Sequence, residues 1–376
     1  MSKPVSIAIV GCGTLTGETI LPHLSHPDFA PHGRVVAVCD VVRARAEGLA
    51  GRFGVPAWYD DYDAMLARSD AEAVLVITPG QAHAAHALAA IRSGRHVYVQ
   101  KPMARTVAEA QAIVAAARQA KVKLVAAPGQ ALWPLWAEMR GAMGWADLGP
   151  AYMAMPPMLG WPGRTVGFPT HPGHFFAADG GPLHDHGGYG VQTLVALFGG
   201  VRRVAAMAAN VTPARVWRGH GEFPTPGMDN TAVLLDFGGG MIGMMHDAWC
   251  ARSRGSSILR VHFLQGAMET SAESANDLAL LPYACTVTAG GDMRRLTVDV
   301  GAIPWCANGH VALGHVHVYG DILHLVTCIR RGVEPVACGE RGVHFVEVLE
   351  AAFRAAKTGQ TQDLTTTVPA GGAVEW

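Results

Sequence analysis

The chain has 376 residues, of which 50% are hydrophobic and 16% are charged, and its formal net charge is −1. This length can form two domains with separate cores, and the near-neutral charge argues against nucleic acid or an anionic membrane as a partner. Seven scattered cysteines form no CxxC pair, which argues against a disulfide framework or a structural zinc site. No signal peptide or membrane-spanning run is recognisable, so we expect a soluble cytoplasmic protein that acts on a small molecule.

Residues 1–128 alternate valine-rich apolar runs with helical patterns, which is typical of a parallel sheet covered on both faces. The predicted strands are Val5–Val10, Arg34–Cys39, Ala73–Ile77, His96–Val99 and Lys123–Ala127. The predicted helices are Thr14–Leu24, Val42–Phe53, Gln81–Ser93 and Thr106–Ala120. This pattern predicts an N-terminal α/β domain.

The first predicted strand ends in Gly11-Cys12-Gly13-Thr14-Leu15-Thr16-Gly17 and leads directly into a helix. Glycines in this context let the backbone approach a pyrophosphate at the helix N-terminus. The third glycine of a GxGxxG motif is displaced by one position, so an ordinary glycine turn is the alternative interpretation. We expect Gly11, Gly13, Thr14 and Leu15 to contact the cofactor.

Asp40 favours the dinucleotide interpretation over the glycine turn. It ends the second strand 23 positions after Gly17, where a carboxylate accepts hydrogen bonds from the ribose hydroxyls of a dinucleotide. Arg43 and Arg45 follow closely and are suited either to a 2'-phosphate or to the solvated first turn of a helix. We therefore predict NAD as the cofactor and leave NADP as the alternative.

Lys101 is one of only five lysines and follows directly after the buried strand His96–Val99. Pro102 cannot donate a ladder hydrogen bond, so the chain leaves the sheet with the ammonium group at the carboxyl end of that strand. Ligands bind at this edge in open α/β sheets. The position of Lys101 therefore predicts a functional cation.

Residues 129–376 have a different sequence pattern. A Pro/Gly-rich stretch from Met155 to Gly181 is followed by a succession of short predicted strands. The predicted strands are Arg203–Asn210, Thr231–Asp236, Met241–Asp247, Ile258–Leu264, Leu278–Leu281 and Leu296–Val300. They predict an α+β domain on a large, mostly antiparallel open sheet. Two helices, 320–331 and 343–357, are predicted near the end of the sequence. One option for these helices is to pack back on the first domain.

Taken together, these residues resemble the Gfo/Idh/MocA oxidoreductase family, named for glucose-fructose oxidoreductase and inositol dehydrogenase. The resemblance is carried by an ordered set of motifs: Gly11-Cys12-Gly13, Cys39-Asp40, Thr78-Pro79 with His83, Lys101-Pro102, and Gly180 to Tyr189. It implies an N-terminal Rossmann domain, a C-terminal domain whose open sheet is often used for oligomerisation, and hydride transfer between nicotinamide and a sugar-like alcohol. It also implies that Thr78, Pro79, His83, Gln100 and Lys101 lie at the cofactor.

The chain departs from the common family pattern at three positions. Gln100 replaces the usual Glu before Lys101, which removes a charge near the lysine but keeps its amine. Gly80 replaces an Asn near the nicotinamide ribose. Tyr189 replaces the His that most members place four residues after Asp185, as in the glucose-fructose oxidoreductase branch, where a tyrosine takes the acid/base position.

Oxidation of an alcohol needs a group that removes the hydroxyl proton, and Lys101 and Tyr189 are both suited to this role. We predict Tyr189 as the proton shuttle and Lys101 as the group that polarises the substrate oxygen, although the roles can be exchanged. Asp185 is predicted to orient Lys101 or bind a sugar hydroxyl. The alternatives are a core tyrosine at Tyr189 and a simple helix N-cap at Asp185.

The remaining predicted substrate contacts are Trp161, His184 and His186. Trp161, Phe168, Phe175 and Phe176 can form an aromatic wall for a sugar or can anchor a loop. The cluster around His184-Asp185-His186, with His171 and His174 upstream, fits no sharp metal template, and we assign no metal. His310, His315 and His317 are expected to have a surface or core role rather than to line the pocket.

The leading functional hypothesis is an NAD(P)-dependent dehydrogenase or reductase that acts on a sugar, polyol or glycoside, working as a homodimer or homotetramer. The first alternative is a redox-neutral glycoside hydrolase or lyase that uses NAD for transient oxidation and elimination. Lys101 argues against it, because glycosidases that resemble this family tend to lose that lysine. The second alternative is a non-catalytic dinucleotide-sensing protein.

Overall fold

The computed structural model describes residues 3–145, 147–157, 165–167, 172–178, 180–251, 258–275 and 280–369. Its strands in chain order are β1 (Val5–Val10), β2 (Gly33–Cys39), β3 (Ala57–Tyr59), β4 (Ala73–Val76), β5 (His96–Val99), β6 (Leu124–Ala126), β7 (Ala151–Met155), β8 (Thr165–Val166), β9 (Arg203–Ala209), β10 (Ala214–Trp217), β11 (Gly221–Pro224), β12 (Asn230–Gly238), β13 (Met241–Ala248), β14 (Arg260–Phe263), β15 (Gly266–Thr270), β16 (Ala284–Ala289), β17 (Asp292–Thr297) and β18 (Gln362–Asp363).

The α-helices are α1 (Leu21–Leu24), α2 (Arg43–Phe53), α3 (Tyr62–Arg68), α4 (Gly80–Arg92), α5 (Val107–Ala120), α6 (Pro134–Met143), α7 (Pro182–Asp185), α8 (Gly187–Phe198), α9 (Val316–Arg331) and α10 (Gly339–Thr358). A π-helical turn, Thr16–Ile20, precedes α1, and 3₁₀ turns include Pro27–Phe29 and His310–Leu313. Within the described residues, every helix is too short or too polar to cross a bilayer. The seven cysteines all lie in the described part and are free thiols.

The described residues form two compact units. The first comprises the chain through Leu132 together with Val300–Val346, and the second comprises Trp133–Asp299 and the residues from Glu347 onward. The two units differ from the predicted domains 1–128 and 129–376, because the segment 300–346 returns to pack with the N-terminal part of the chain. Only contacts between positions remote in sequence reveal that return.

The first unit is built on a six-stranded parallel sheet in the order β3-β2-β1-β4-β5-β6. Strands β1 and β4 are buried at every position, which fits their continuous apolar sequences. The predicted Rossmann fold is thereby confirmed, and the one strand missed, β3, has only three half-buried residues. In this sheet the strand order reverses its direction between β1 and β4. Dinucleotides bind at this reversal point in such sheets.

The returning segment packs on this sheet through α9 and the first turns of α10. Helix α9 contacts β1, β5 and β6. A Cβ atom added to Gly339 would lie 2.6 Å from the Leu124 side chain, and one added to Gly342 would lie 2.7 Å from Ala126. These glycines therefore let α10 approach the edge of the sheet at β6 closely.

The second unit contains a nine-stranded sheet in the order β17-β16-β15-β14-β7-β13-β12-β9-β18, in which only β7 and β13 pair in parallel. The predicted open, mostly antiparallel sheet is confirmed. The predicted strand Leu278–Leu281 is wrong at 280–281, which form no strand, while 278–279 lie outside the described residues. The predicted strand Leu296–Val300 ends at Thr297, because it continues a hairpin that begins at Asp292.

Candidate active site

The loop after β1 requires a glycine at its first position. Gly11 has a φ of 99°, and a Cβ atom there would lie 2.6 Å from the Ile77 carbonyl oxygen. Gly13 differs, because no atom lies within 4 Å of the position its Cβ would take. Gly11 thus fits the loop against the end of β4, whereas Gly13 leaves open space where a pyrophosphate can approach the backbone of the helical turn that begins at Thr14.

Asp40 holds this loop in place. Its Oδ2 atom accepts a hydrogen bond of 2.8 Å from the Cys12 amide, and its Oδ1 atom accepts one of 2.8 Å from the Val42 amide. The carboxylate is 9% exposed, and each oxygen retains a lone pair for a further donor. The arrangement fits a ribose diol and links the predicted ribose ligand to the predicted pyrophosphate loop.

His83 joins the two other loops of this edge. It is buried, its Nε2 atom lies 2.7 Å from the Thr78 carbonyl oxygen, and its Nδ1 atom lies 2.8 Å from the Pro102 carbonyl oxygen. Burial lowers its pKa, which favours a neutral ring that carries one N–H between these two acceptors. His83 therefore ties the Thr78-Pro79 turn to the turn that carries Lys101.

Lys101 lies two residues after the end of β5 and is half-buried. The Gln100 carboxamide folds over this turn, since its Oε1 atom accepts a 3.1 Å hydrogen bond from the Lys101 amide and its Nε2 atom donates one of 2.9 Å to the Tyr98 hydroxyl. Gln100 is only 7% exposed. Gln100 stands where the family pattern usually has Glu. Its neutral amide orients the backbone of Lys101 without placing a carboxylate beside the amine.

His317 is a neighbour of Lys101 that sequence reasoning left among core or surface residues. It lies in the first turn of α9 and is buried. Burial lowers its pKa to about 3, with further lowering by the charges of His315 and Lys101. A neutral imidazole therefore lies within electrostatic range of the lysine. The sequence offered no sign of it, because some 216 positions separate the two residues.

In the second unit, the Gly180–Tyr189 motif forms a sharp turn followed by α7 and α8. Gly181 has a φ of 111°, and a Cβ atom there would lie 2.3 Å from the Met228 carbonyl oxygen. Gly187 and Gly190 let α8 approach β13, since added Cβ atoms would lie 3.1 Å from Asp247 Oδ2 and 2.9 Å from Met245 Cε. The glycines of the motif thus serve close packing of the helix that carries Tyr189.

Tyr189 lies in the first turn of α8 and is 7% exposed. Asp185 is the last residue of α7, and the residue that caps α8 is His186. The simple N-cap alternative for Asp185 is therefore wrong. The His186 Nε2 atom lies 3.3 Å from Asp185 Oδ2, so the carboxylate has a titratable partner beside it.

Asp247 is a buried carboxyl group at the end of β13 that sequence reasoning treated only as a strand residue. Burial and, secondly, the charge of Asp185 raise its pKa to about 8. Its Oδ2 atom has no hydrogen-bond partner among the described residues. A carboxyl group at the end of a strand rich in apolar residues was the available signal. The structure brings Asp185, His186 and Asp247 together around the start of α8.

The other predicted substrate contacts have different surroundings. The His184 ring stacks on the ring of Phe353, and their centroids are 4.8 Å apart. Phe353 lies in the second half of α10. Trp161, like Phe168 and His171, lies outside the described residues. Phe176 is 3% exposed and packs edge-on against Trp249 at 4.9 Å, so for this residue the loop-anchor alternative is correct. The edge of the same Trp249 ring faces His186 at 6.1 Å.

Known proteins agree with this fold. Residues 5–127 match the sequence model of the oxidoreductase family with an NAD-binding Rossmann fold, and residues 160–269 match that of the GFO/IDH/MocA C-terminal domain. The D-apiose dehydrogenase of Paraburkholderia graminis is 24% identical over 95% of this chain and 89% of its own. The D-glucoside 3-dehydrogenase of Escherichia coli is 33% identical over 31% of this chain, which is 33% of its own length.

The fold is also shared with a levoglucosan dehydrogenase solved in complex with NADH and L-sorbose. The two structures have a TM-score of 0.80 over 97% of this chain and all of the other, at 17% identity. That similarity concerns the fold, whereas the two sequence models together span both domains. The chain belongs to the Gfo/Idh/MocA family of oxidoreductases, and its first domain is that family's NAD-binding Rossmann domain.

Proposed function

We propose that the protein is an NAD-dependent dehydrogenase that oxidises a hydroxyl-bearing carbon of a sugar, polyol or glycoside. The observation that carries the proposal is the proton-handling group around α8: Tyr189 in its first turn, with Asp185, His186 and the buried Asp247 at its start. Such a group suits the removal of a hydroxyl proton. The NAD-binding domain of the same chain suits the removal of the hydride.

The substrate class is supported by the relatives. One is named as acting on D-apiose and another on D-glucosides. Both substrates carry several hydroxyl groups, which suits a site with two carboxyl groups and two histidines as hydrogen-bonding partners. The half-buried Phe175, which packs against the core cluster that contains Trp249, would add apolar surface for the face of a sugar ring.

Bound NAD supplies a hydride acceptor at its nicotinamide ring. Gly13 would leave its pyrophosphate room to approach the backbone of the helical turn that begins at Thr14, and Asp40 would accept hydrogen bonds from its ribose hydroxyls. Tyr189, in its phenolate form, would receive the hydroxyl proton of the substrate, and the proposed role of Lys101 is to polarise a substrate oxygen. In the reverse direction Tyr189 returns that proton to the forming alkoxide oxygen.

The surroundings of Asp40 support NAD over NADP. A 2'-phosphate would meet the carboxylate of Asp40, and like charges at this distance repel. Of the two nearby arginines, Arg43 lies over the Trp58 ring at 4.7 Å and also approaches Glu47 at 3.8 Å. The Arg43 guanidinium group is therefore already engaged.

The two alternative functions receive less support. The named relatives are dehydrogenases, and the lysine that redox-neutral glycosidases tend to lack is present at Lys101. A sensing protein would need no group that titrates near neutrality at the start of α8, yet the pKa of Asp247 is raised to about 8. Both alternatives remain outcomes of the substrate test below.

We further propose that the protein acts in the cytoplasm as a homo-oligomer that uses the outer face of its nine-stranded sheet. Leu234 and Met244 are directly paired on that face, and Ile242 lies beside them; these residues are 47%, 43% and 40% exposed. Met207 on β9 is 79% exposed. A second copy of the same face would bury these apolar side chains. Seven free thiols suit a reducing compartment.

The function is tested with a panel of aldoses, inositols and glycosides deuterated at single hydroxyl-bearing carbons. We expect absorbance of reduced nicotinamide to appear with NAD and one substrate class, and deuterium to be transferred to the cofactor from one carbon. Cleavage of a chromogenic glycoside without net NAD reduction would instead identify the redox-neutral enzyme. Tight NAD binding with no turnover of any substrate would identify the sensor.

A further inference from the structure

A cluster of histidine and carboxylate groups lies in the first unit, apart from the residues assigned above. His26, Asp28 and His310 each present a ligand atom, and these atoms all lie within 4.8 Å of one another. His310 is fully buried, while the side chains of His26 and Asp28 are 30% and 27% exposed. This is the one such three-donor group among the described residues. It therefore combines a fixed inner donor with two outer donors that solvent can reach.

Hydrogen-bond accounting fixes the proton positions in this cluster. The His23 Nε2 atom lies 2.8 Å from the Gly314 carbonyl oxygen, so this nitrogen must carry a hydrogen. The Nδ1 atom of a neutral His23 is then an acceptor, and His310 Nδ1, 2.8 Å away, must donate to it. The remaining nitrogen of a neutral His310, Nε2, consequently carries a lone pair.

That lone pair faces another acceptor. His310 Nε2 lies 2.9 Å from Asp28 Oδ1, which is also 2.8 Å from His26 Nδ1. Two lone pairs directed at each other repel unless a proton or a metal ion lies between them. Nitrogen and carboxylate oxygen donors with a lone pair directed to one point are the ligands that zinc prefers.

The surrounding bonds are those expected of a metal site. His310 donates through its far nitrogen to His23, which fixes both its tautomer and its ring orientation. The Asn308 side-chain amide donates a 3.0 Å hydrogen bond to Asp28 Oδ2, leaving Oδ1 directed to the cluster. The His310 ring also stacks on Tyr319 at 4.1 Å. The inner ligand and the carboxylate are thus both held before any ion binds.

The cluster lies at the edge of the sheet opposite the cofactor loop. The helical segment from Thr14 to Leu24 starts at the carboxyl end of β1 and runs back to the amino end of β2 at Gly33. Eleven helical residues span ~16 Å, which separates His26 and Asp28 from Gly13. His310 belongs to the returning segment 300–346. An ion here would connect that segment to the first crossover, and its role would be structural.

We propose that His26, Asp28 and His310 bind one divalent transition-metal ion, with zinc as the best match, and that this ion fastens residues 300–315 to the Rossmann sheet. Two imidazoles and one carboxylate supply three ligands, and the exposure of His26 and Asp28 leaves room for a water molecule as the fourth. The proposal is independent of the dehydrogenase function, since none of these residues has a role in it.

The test uses the untagged full-length chain, treated with a chelator, desalted and then supplied with Zn²⁺ alone. We expect about one equivalent of zinc to remain bound after desalting, and the melting temperature to rise by several degrees. Cobalt in place of zinc should give the visible absorption of a low-coordinate nitrogen and oxygen site. Asn308→Ala, which removes only a supporting bond, should weaken zinc binding ~10-fold, and His26→Gln and Asp28→Asn, which each remove a ligand, should weaken it more than Asn308→Ala does.

His220→Gln is the matched control, because His220 is exposed, stacks on Trp217 and is not one of the three proposed ligands. It should bind zinc as the wild type does. The proposal is overturned if the wild-type chain retains no zinc, or if His26→Gln and Asp28→Asn bind it with unchanged affinity. Both variants alter partly exposed side chains, so we expect them to fold. Circular dichroism before metal addition checks this.

Discussion

The negative charge of Asp185, at the end of α7, reaches the buried carboxyl group of Asp247, at the end of β13. Burial is the larger of the two effects that raise the pKa of Asp247 to about 8, and the repulsion from Asp185 adds to it. Asp247 is consequently protonated at neutral pH, while Asp185 has the His186 ring 3.3 Å away. The start of α8 thus holds a proton on one carboxyl group beside the proposed proton shuttle.

The first prediction concerns the pH dependence of stability. Above pH ~4 an unfolded Asp247 loses its proton, but the folded one keeps it up to about pH 8. This group therefore stabilises the fold fully at low pH, and that contribution is lost as pH rises through about 8. Asp247→Asn, which resembles the protonated group, should be more stable than the wild type at pH 9 by on the order of 1–3 kcal/mol.

Urea unfolding at pH 5, 7 and 9 measures this effect. The difference between Asp247→Asn and wild type should grow with pH, whereas the exposed Asp292→Asn control should show a constant difference. A difference for Asp247→Asn that is the same at all three pH values would contradict a raised pKa.

The second prediction concerns the two proposed catalytic residues. Tyr189→Phe removes the hydroxyl group that would carry the substrate proton, and Lys101→Met removes the group that would polarise the substrate oxygen. Each should lower kcat by ~10² to 10⁴-fold, and Tyr189→Phe should leave NAD affinity within about threefold of wild type. Steady-state kinetics and NAD titration measure both quantities. Tyr152→Phe and Lys357→Met, at exposed positions, are the controls, and full turnover in either active-site variant would exclude that residue.

The third prediction separates the roles of the two loop glycines. Gly11→Ala places a Cβ atom 2.6 Å from the Ile77 carbonyl at a φ of 99°, and should cost ~1–3 kcal/mol of unfolding free energy. Gly13→Ala meets no protein atom within 4 Å and should leave stability within ~1 kcal/mol of wild type. It should nevertheless weaken NAD binding at least tenfold, because its methyl group would occupy the open space. Thermal unfolding and isothermal titration distinguish the two, and equal losses of stability would argue against this division.

The fourth prediction concerns cofactor choice. Asp40→Asn removes the charge that disfavours a 2'-phosphate, and it turns one acceptor of the Cys12 and Val42 amides into a donor. We expect the KM for NAD to rise about tenfold and the preference for NAD over NADP to fall by a similar factor. Kinetics with both cofactors check this, with the exposed Asp60→Asn as control. An unchanged cofactor ratio would mean that Asp40 only supports the loop.

The fifth prediction concerns assembly. Met244→Glu places a charge opposite Leu234 in the middle of the exposed apolar face. We expect light scattering after size-exclusion chromatography to show a dimer or tetramer for the wild type and a monomer for this variant. Met293→Glu, at an exposed position on β17 near the far edge of the sheet, should keep the wild-type mass. A monomeric wild-type chain would contradict the proposed interface.

Local patterns in the sequence predicted a large part of this protein. The continuous valine-rich strands, the glycine turn with Asp40 and the position of Lys101 all depend on neighbours within a few residues, so their periodicity and spacing indicate the Rossmann sheet and its ligand edge. The alternating pattern of β12 and β13 likewise indicates a sheet with one outward face.

Tertiary structure decided what depends on contacts between distant positions. The return of residues 300–346 to the first unit, the place of His317 near Lys101 and the cluster of His26, Asp28 and His310 join segments more than 200 positions apart. The raised pKa of Asp247 is of the same kind, because a sequence reveals a carboxyl group but not the burial that holds its proton. Burial and proximity are properties of the folded chain, and they determine which of its many titratable groups can do chemistry.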